Sequence, residues 1–453
     1  MTSSASGTAR GRVALVVLGC SKNQVEAESM SSRLAGLGWE LTADAAEADV
    51  TVVHTCGFLE AARREATDAV FRLRRSAPRT FLVMTGCFAQ FLNGKHPAGV
   101  DAVLGTGQFH RLPELIEKKK GLRTVPASPG GFHGEGTPRP LLRGQLSSYL
   151  RISEGCRHRC TFCLIPQLRG ELKSRPPADV LSEARGLMDR GIRELVVISQ
   201  DTTGYGGDLR PSSSINDLLK KMASWNDLKR IRLMYAYPSE VGERLIRLLA
   251  EEPKLCGYLD MPLQHLSDPI LKAMGREWGE TRTRSLLDQM EKKVPHLALR
   301  TTFMVGFPGE TDEDFRKMLG VVEEGRFEHV GVFAYSPEER SPSARRPGRV
   351  PPALAEERMQ ALLHAQSVVM ARRAKKRNGA QIEVMVESSP DGWTARAPWQ
   401  APEVDGQVIL DRYPDTEGFY QAKITGMKVI DLKATLSPKE RGKKKVLQSS
   451  RRA

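Results

Sequence analysis

The sequence predicts an α/β protein in three parts: an N-terminal open parallel sheet, a central partial (βα)6 barrel and a small C-terminal antiparallel β-barrel. Three observations predict it. Apolar runs that end in a sharp turn and an amphipathic helix recur three times before residue 100. Six more strand-like runs alternate with helical patterns between 142 and 340. Beyond 380 the pattern shifts to short, half-alternating runs divided by Gly, Pro and Asp. Strands that alternate with helices make parallel sheets, whereas short strands at turn-rich spacing make antiparallel barrels.

The first three units are "RVALVVLGC" ending at Cys20, "DVTVVHTCG" around Cys56 and "TFLVMTGC" ending at Cys87, each followed by a helical pattern. Parallel strands place their C-terminal ends on one edge, where open α/β sheets bind ligands. The three cysteines are therefore expected to converge there. Residues 121–140, "GLRTVPASPGGFHGEGTPRP", are too rich in Gly and Pro for regular structure and close this unit, taken as 11–123.

In the middle unit, 142–372, the expected strands are "SSYLRISE", "ELVVISQ", "KRIRLMYAY", "GYLDMPLQ", "LALRTTFMVGF" and "HVGVFAYS". Chemistry in such barrels sits at the C-terminal strand ends, and the first strand runs straight into "EGCRHRCTFC". A second irregular stretch, "RSPSARRPGRVPP" at 340–352, precedes the helical pattern that leads to the last unit, 375–440. Its strands are expected in "QIEVMVES", "WTARAP", "GQVILD", "GFYQAKITG" and "KVIDLKA". The two chain ends, "MTSSASGTARGR" and "KERGKKKVLQSSRRA", read as tails.

Composition excludes several classes. No apolar run approaches the roughly 20 residues needed to span a bilayer, and no secretory signal precedes Val13, so a cytoplasmic protein without a membrane partner is expected. Seven cysteines spread through a long chain argue against a disulfide framework and for metal binding or catalysis. The net charge of +14 suits a polyanionic neighbour such as a ribonucleoprotein as well as it suits a solvated basic surface. Residues 381–433 run against it, with nine acidic and five basic residues, net −4.

Cys156, Cys160 and Cys163 supply three soft thiolates within one loop. Structural zinc is closed by four protein ligands, and only His158, wedged between two of the cysteines, could complete the set. A cubane iron-sulfur cluster held by three cysteines instead leaves one iron open to bind a ligand.

Here the residues carry a resemblance. "CRHRCTFC" resembles the CxxxCxΦC signature of radical S-adenosylmethionine (SAM) enzymes, which share the partial barrel. In that superfamily SAM chelates the open iron and is cleaved reductively to a 5′-deoxyadenosyl radical. "LGCSKNQVEAE", "HTCGF", "TGC", "EGCRHRCTFCLIPQLRGELKSRP", "ISQDTTGYG", "MPLQHLSDPILKAMGR", "TTFMVGFPGETDEDF" and "APEVDG" extend the match over about 12–435 and resemble the methylthiotransferases. The branch that modifies an aspartate of a small-subunit ribosomal protein is the most similar, although Ser21 stands where that branch often has Pro. The resemblance implies two 4Fe-4S clusters: Cys156, Cys160 and Cys163 hold the radical-generating one, Cys20, Cys56 and Cys87 an auxiliary one concerned with sulfur. It also implies SAM as cofactor and methyl source, a reductant such as flavodoxin or ferredoxin, a TRAM domain at the C-terminus, and the ribosomal protein as substrate, free or on the assembled ribosome. A monomer is expected, and Cys256 is assigned to packing.

Phe162, Gln200, Gln264, Arg300 and the "GFPGE" turn around Pro308 lie at or near predicted strand ends and are the candidates for contact with SAM. The Gly-Gly-Glu stretch that often grips the cofactor's amino group is replaced by "SQDTTGYG". Two rival readings remain: a transfer-RNA adenosine methylthiotransferase, and a noncatalytic ribosome-binding protein with structural zinc. The acidic terminal barrel favours a basic protein substrate over RNA, whose phosphates need Lys and Arg.

Overall fold

The computed structural model describes residues 10–437 except 96, 119–122, 127–128, 130, 132–137 and 391. Most of both tails, and much of the Gly/Pro-rich segment, lie outside the described residues.

The N-terminal sheet consists of β1 (Arg12–Val17), β2 (Glu40–Thr42), β3 (Val50–Thr55), β4 (Phe81–Gly86), β5 (Ala102–Leu104) and β6 (Arg123–Thr124). Their order is β2-β1-β3-β4-β5-β6, and every pairing is parallel. The helices are α1 (Ser21–Gly36), α2 (Glu60–Ser76), α3 (Cys87–Phe91) and α4 (Leu112–Lys118). Sequence reading found β1, β3 and β4. It missed β2, β5 and β6, which are too short for periodicity to register, and the helix expected after Cys87 is present but only five residues long. Chain order reverses between β1 and β3, which makes their C-terminal ends a topological switch point. Cys20 follows β1 and Cys56 follows β3.

The central sheet runs β7 (Ser147–Arg151), β10 (Glu194–Ile198), β11 (Arg230–Leu233), β12 (Tyr258–Asp260), β13 (Ala298–Val305) and β14 (His329–Ala334), parallel throughout, with no pairing of β14 to β7 among the described residues. A short hairpin, β8 (Ser153–Glu154) with β9 (Lys173–Ser174), brackets the cysteine loop. Around the sheet lie α5 (Ile165–Arg169), α6 (Pro177–Asp189), α7 (Ile215–Ala223), α8 (Glu243–Glu251), α9 (Asp268–Ala273), α10 (Glu280–Lys293) and α11 (Asp312–Glu323). Side chains alternate across the strands. Leu150, Val197, Leu233, Leu259, Leu299 and Phe303 face the helices and build the main core. Tyr149, Val196, Met234, Tyr258 and Ala298 face the other way and meet Val25 of α1 and Ala401. The hollow of the open barrel is thus filled by both neighbouring domains.

Helix α12 (Pro352–Arg377) leads to β15 (Gln381–Ser389), β16 (Gly392–Arg396), β17 (Val408–Leu410), β18 (Gly418–Lys428) and β19 (Asp431–Leu436), in the order β16-β15-β18-β19-β17. The sheet curls towards a barrel, with β16 near β17. One detail departs from the expected antiparallel arrangement: β17 pairs with β19 in parallel. The chain rises in β17, descends in β18 and rises again in β19, so inserting β19 between the other two makes it run with β17.

The loop after β16 enters the central hollow. Buried Glu194 accepts from Arg232 at 2.8 Å and from Arg396 at 2.6 Å, and Arg232 also donates to the Pro398 carbonyl at 2.9 Å. Asp405 accepts from the Tyr258 hydroxyl at 2.6 Å and from Arg300 Nε at 3.1 Å.

Candidate active site at the domain junction

Three chain segments bring Cys20, Cys56 and Cys87 to the rim of the N-terminal sheet. A Cβ on Gly19 would stand 2.7 Å from Cys56 Cβ, and one on Gly57 2.6 Å from the Cys87 carbonyl carbon, so only glycines let these loops meet. Cys20 is exposed, Cys56 half-buried and Cys87 buried. Cys87 packs against Leu164 and Leu168, which follow Cys163 in the other domain.

Cys156, Cys160 and Cys163 occupy the loop between β8 and α5. Thr161 clamps the loop: its N–H donates to the Met274 carbonyl and its hydroxyl to the Ala273 carbonyl, both at 2.9 Å. The Cys163 sulfur accepts from the Ile165 N–H at 3.4 Å. Arg276 Nη1 lies 3.9 Å from Cys160 Sγ. The stretch read as merely irregular at 340–352 braces this loop, since the Ser343 N–H donates to the Thr161 carbonyl at 3.0 Å.

His158, the candidate fourth ligand for zinc, is held elsewhere. Its Nε2 is 3.0 Å from Asp201 Oδ2, and its ring stacks on Tyr237 with centroids 3.4 Å apart. Among the described residues no three His, Cys, Asp or Glu groups stand close enough to share one metal ion. Thiolates on a cubane bind separate irons and stand further apart.

Burial pushes the Cys87 and Cys156 thiols up to about 12, and raises Cys56 and Cys163 as well. Thiols this reluctant to ionise become thiolates only when cations take the place of their protons.

Among the SAM candidates, Phe162 lies beside the thiol loop in an apolar cluster with Ile270, Met274 and Phe307. Pro308 is buried in the turn after β13, and Glu310 of the same turn accepts from the Gly306 N–H at 2.8 Å and pairs with Arg358 of α12 at 2.6 Å. Gln264 adopts φ +69° and bridges to Phe303. Gln200 Nε2 donates to Glu154 at 2.8 Å, while its Oε1 is buried with no protein partner. Arg300 sits deeper, between Asp260 at 3.0 Å and Asp405 at 3.1 Å; burial opposes its charge, but these carboxylates hold its pKa above the ordinary arginine value.

Sequence reasoning missed a buried polar network that joins the two rims. Glu26 of α1 meets His54 at 2.9 Å, Arg151 at 2.7 Å and Arg169 at 2.5 Å. Glu154 pairs with Arg151 and Arg169. No spacing rule signals such a network, because its members lie as many as 143 positions apart.

Three family models divide the chain among them: residues 12–105 match the Uncharacterized protein family UPF0004, residues 150–322 the Radical SAM superfamily and residues 379–436 the TRAM domain. The Ribosomal protein uS12 methylthiotransferase RimO of Geotalea uraniireducens is 41% identical over 412 residues, covering 88% of this chain and 92% of that protein. Its counterpart in Desulforudis audaxviator is 40% identical, covering 93% and 96%. The chain belongs to the RimO family of methylthiotransferases.

A solved radical SAM methyltransferase, TsrM from Kitasatospora setae with cobalamin and a 4Fe-4S cluster bound, shares the fold, with TM-score 0.55 and 17% identity over 72% of each chain. As a RimO-family enzyme the chain is a radical SAM transferase that uses SAM and two 4Fe-4S clusters. The donor set fits them. Two sets of three thiols stand on facing domain rims, each without a fourth Cys, and a buried amide oxygen at Gln200 awaits a donor.

Proposed function

We propose that this protein transfers a methylthio group to the β-carbon of an aspartate in the small-subunit ribosomal protein uS12. The observation that carries the reading is the pair of three-thiol rims facing each other across one junction, in a chain about 40% identical to uS12 methylthiotransferases over nearly its whole length. Three units divide the work: 11–123 holds the auxiliary cluster through Cys20, Cys56 and Cys87, 142–372 holds the radical cluster through Cys156, Cys160 and Cys163, and 375–440 docks the substrate.

When bound, the clusters and SAM supply the electron, the hydrogen-abstracting power, and the sulfur and methyl that no side chain provides. The chain's own residues position and enclose. Thr161 fixes the thiol loop against the end of the helix after β12, and Ser343 braces it from the 340–352 stretch. Phe162, with Met274 and Phe307, walls the cofactor side against water. Gln200 offers its free Oε1 to the cofactor's ammonium, and Gln264 and Pro308 shape the opposite strand ends. Arg300, already held by two carboxylates, supports the floor of the site and meets the cofactor only with its remaining edge.

The docking surface is narrower than charge counting suggests. Glu387 binds Arg396 and Asp405 binds Arg300, so these two carboxylates face inward, while Glu383 stays exposed although it pairs with Arg230. Asp411 and Asp415 remain exposed, with Glu417 half-buried, for a basic partner. We place the enzyme in the cytoplasm as a monomer, reduced by a flavodoxin or ferredoxin. Intact-mass comparison of ribosomal proteins from parent and deletion strains tests the function. The methylthio mass is expected to vanish from uS12 alone; its survival in the deletion strain, or its loss from modified adenosine instead, would overturn the substrate.

A further inference from the structure

Arg169 ends α5, the helix that begins two residues after Cys163, and its side chain is 2% exposed. Its guanidinium crosses the domain junction. Nε donates to Cys87 Sγ at 3.0 Å, Nη1 to Glu26 at 2.5 Å and to Glu154 at 3.3 Å, and Nη2 to Asn23 Oδ1 at 2.7 Å. Asn23 Oδ1 in turn lies 4.0 Å from Cys20 Sγ. One cation therefore touches one auxiliary thiol directly and approaches a second through an amide.

The remaining links run the other way. Glu154 accepts from Gln200 Nε2 at 2.8 Å, so an unbroken chain of hydrogen bonds joins Cys87 to Gln200 through Arg169 and Glu154. All but Gln200 are buried, where such bonds are little screened. A purely structural arginine would need only the carboxylates. This one also spends a donor on a sulfur that burial keeps from water.

We propose that Arg169 is a positioning and tuning residue for the auxiliary cluster: its Nε–H bond to the Cys87 sulfur raises that cluster's reduction potential. A hydrogen bond and a positive charge at a ligating sulfur favour the more negative, reduced cluster, and hydrogen bonds to sulfur are among the determinants of cluster potential. The hydrogen bonds of this guanidinium go to none of Cys156, Cys160 and Cys163, so the radical cluster's potential is expected to respond less than the auxiliary one's. The inference rests on the reading of Cys20, Cys56 and Cys87 as cluster ligands.

The test is EPR-monitored potentiometry of the reconstituted full chain, with Arg169→Lys as the first variant. Lysine keeps a charge for Glu26 and Glu154 but has no planar fork able to serve sulfur and carboxylates together. Because a buried carboxylate stripped of its partner can unfold the junction, Arg169→Gln with Glu26→Gln serves as the second variant, removing both signs at once. Iron, sulfide and thermal melting report folding and loading. The auxiliary signal is expected to move to lower potential in both variants, and by more than the radical-cluster signal. An unmoved auxiliary potential in a loaded variant, equal shifts of both clusters, or failure of both variants to load the auxiliary cluster would each overturn the proposal. A parent protein that holds only one cluster would instead overturn the ligand reading beneath it.

Discussion

Cys56 and Cys160 are chemically the same side chain in different settings, one at the N-terminal switch point and one in the clamped loop before α5. The two settings predict separable defects. Cys160→Ala is expected to abolish SAM cleavage, read as 5′-deoxyadenosine. Cys56→Ala is expected to leave cleavage intact and stop methylthio transfer, read by mass spectrometry of a uS12 peptide. A Cys56→Ala enzyme that still methylthiolates would show that the N-terminal thiols have another role. Cys256 stands apart from both trios, packed against the apolar cluster that fills the hollow, as the packing assignment expected. Spacing made the Cys156 trio legible at once, and the repeated strand-then-cysteine pattern made the other trio legible through topology. Arg169 carried no such mark, because an arginine in "PQLRGEL" looks like any exposed one until the fold buries it.

At the scale of elements, the thiol loop depends on how closely β8 approaches the segment that returns to β9. Gly155 adopts φ +76°, and a Cβ there would stand 2.2 Å from the Glu171 carbonyl oxygen and 2.5 Å from that of Gly170. Gly155→Ala would cost about 1–2 kcal/mol for the left-handed backbone alone, and the overlap adds to it. The backbone must then shift beside Cys156, whose N–H donates to the Gly170 carbonyl at 3.2 Å. The expected outcome is loss of the radical cluster with retention of the auxiliary one, which halves the iron per chain in reconstituted protein. Full iron content in Gly155→Ala would show that the loop tolerates the shift.

For the whole molecule, the C-terminal barrel is held largely by charges buried in the central hollow. Burial by itself would raise the Glu194 pKa, but Arg396, Arg232 and Arg230 outweigh it and hold the carboxyl down to about 2. A carboxylate whose folded pKa is depressed stabilises the fold above its unfolded value of 4.5, and that stability drains away as pH falls towards 2. The linkage is worth roughly 3 kcal/mol. Attachment of the barrel is therefore expected to weaken below pH 4.5, followed by fluorescence of Trp399, whose carbonyl accepts from His329 in the hollow. Glu194→Gln should weaken attachment already at neutral pH and flatten the acid transition. An unchanged transition in that variant would assign the attachment to other contacts.

Local pattern determined much of this protein. Hydrophobic period distinguished parallel from antiparallel regions, and strand ends located the cysteines, because both follow from backbone geometry within a few residues. Tertiary structure alone decided the rest: the inward turn of Glu387 and Asp405, the capture of His158 by Asp201, and the arginine that links Cys87 to Glu154. Each of these is a charge or polar group paired with a partner on another element of the fold. Such pairing is selected by the cost of leaving a buried polar group unmatched, and that cost exists only once the chain has folded.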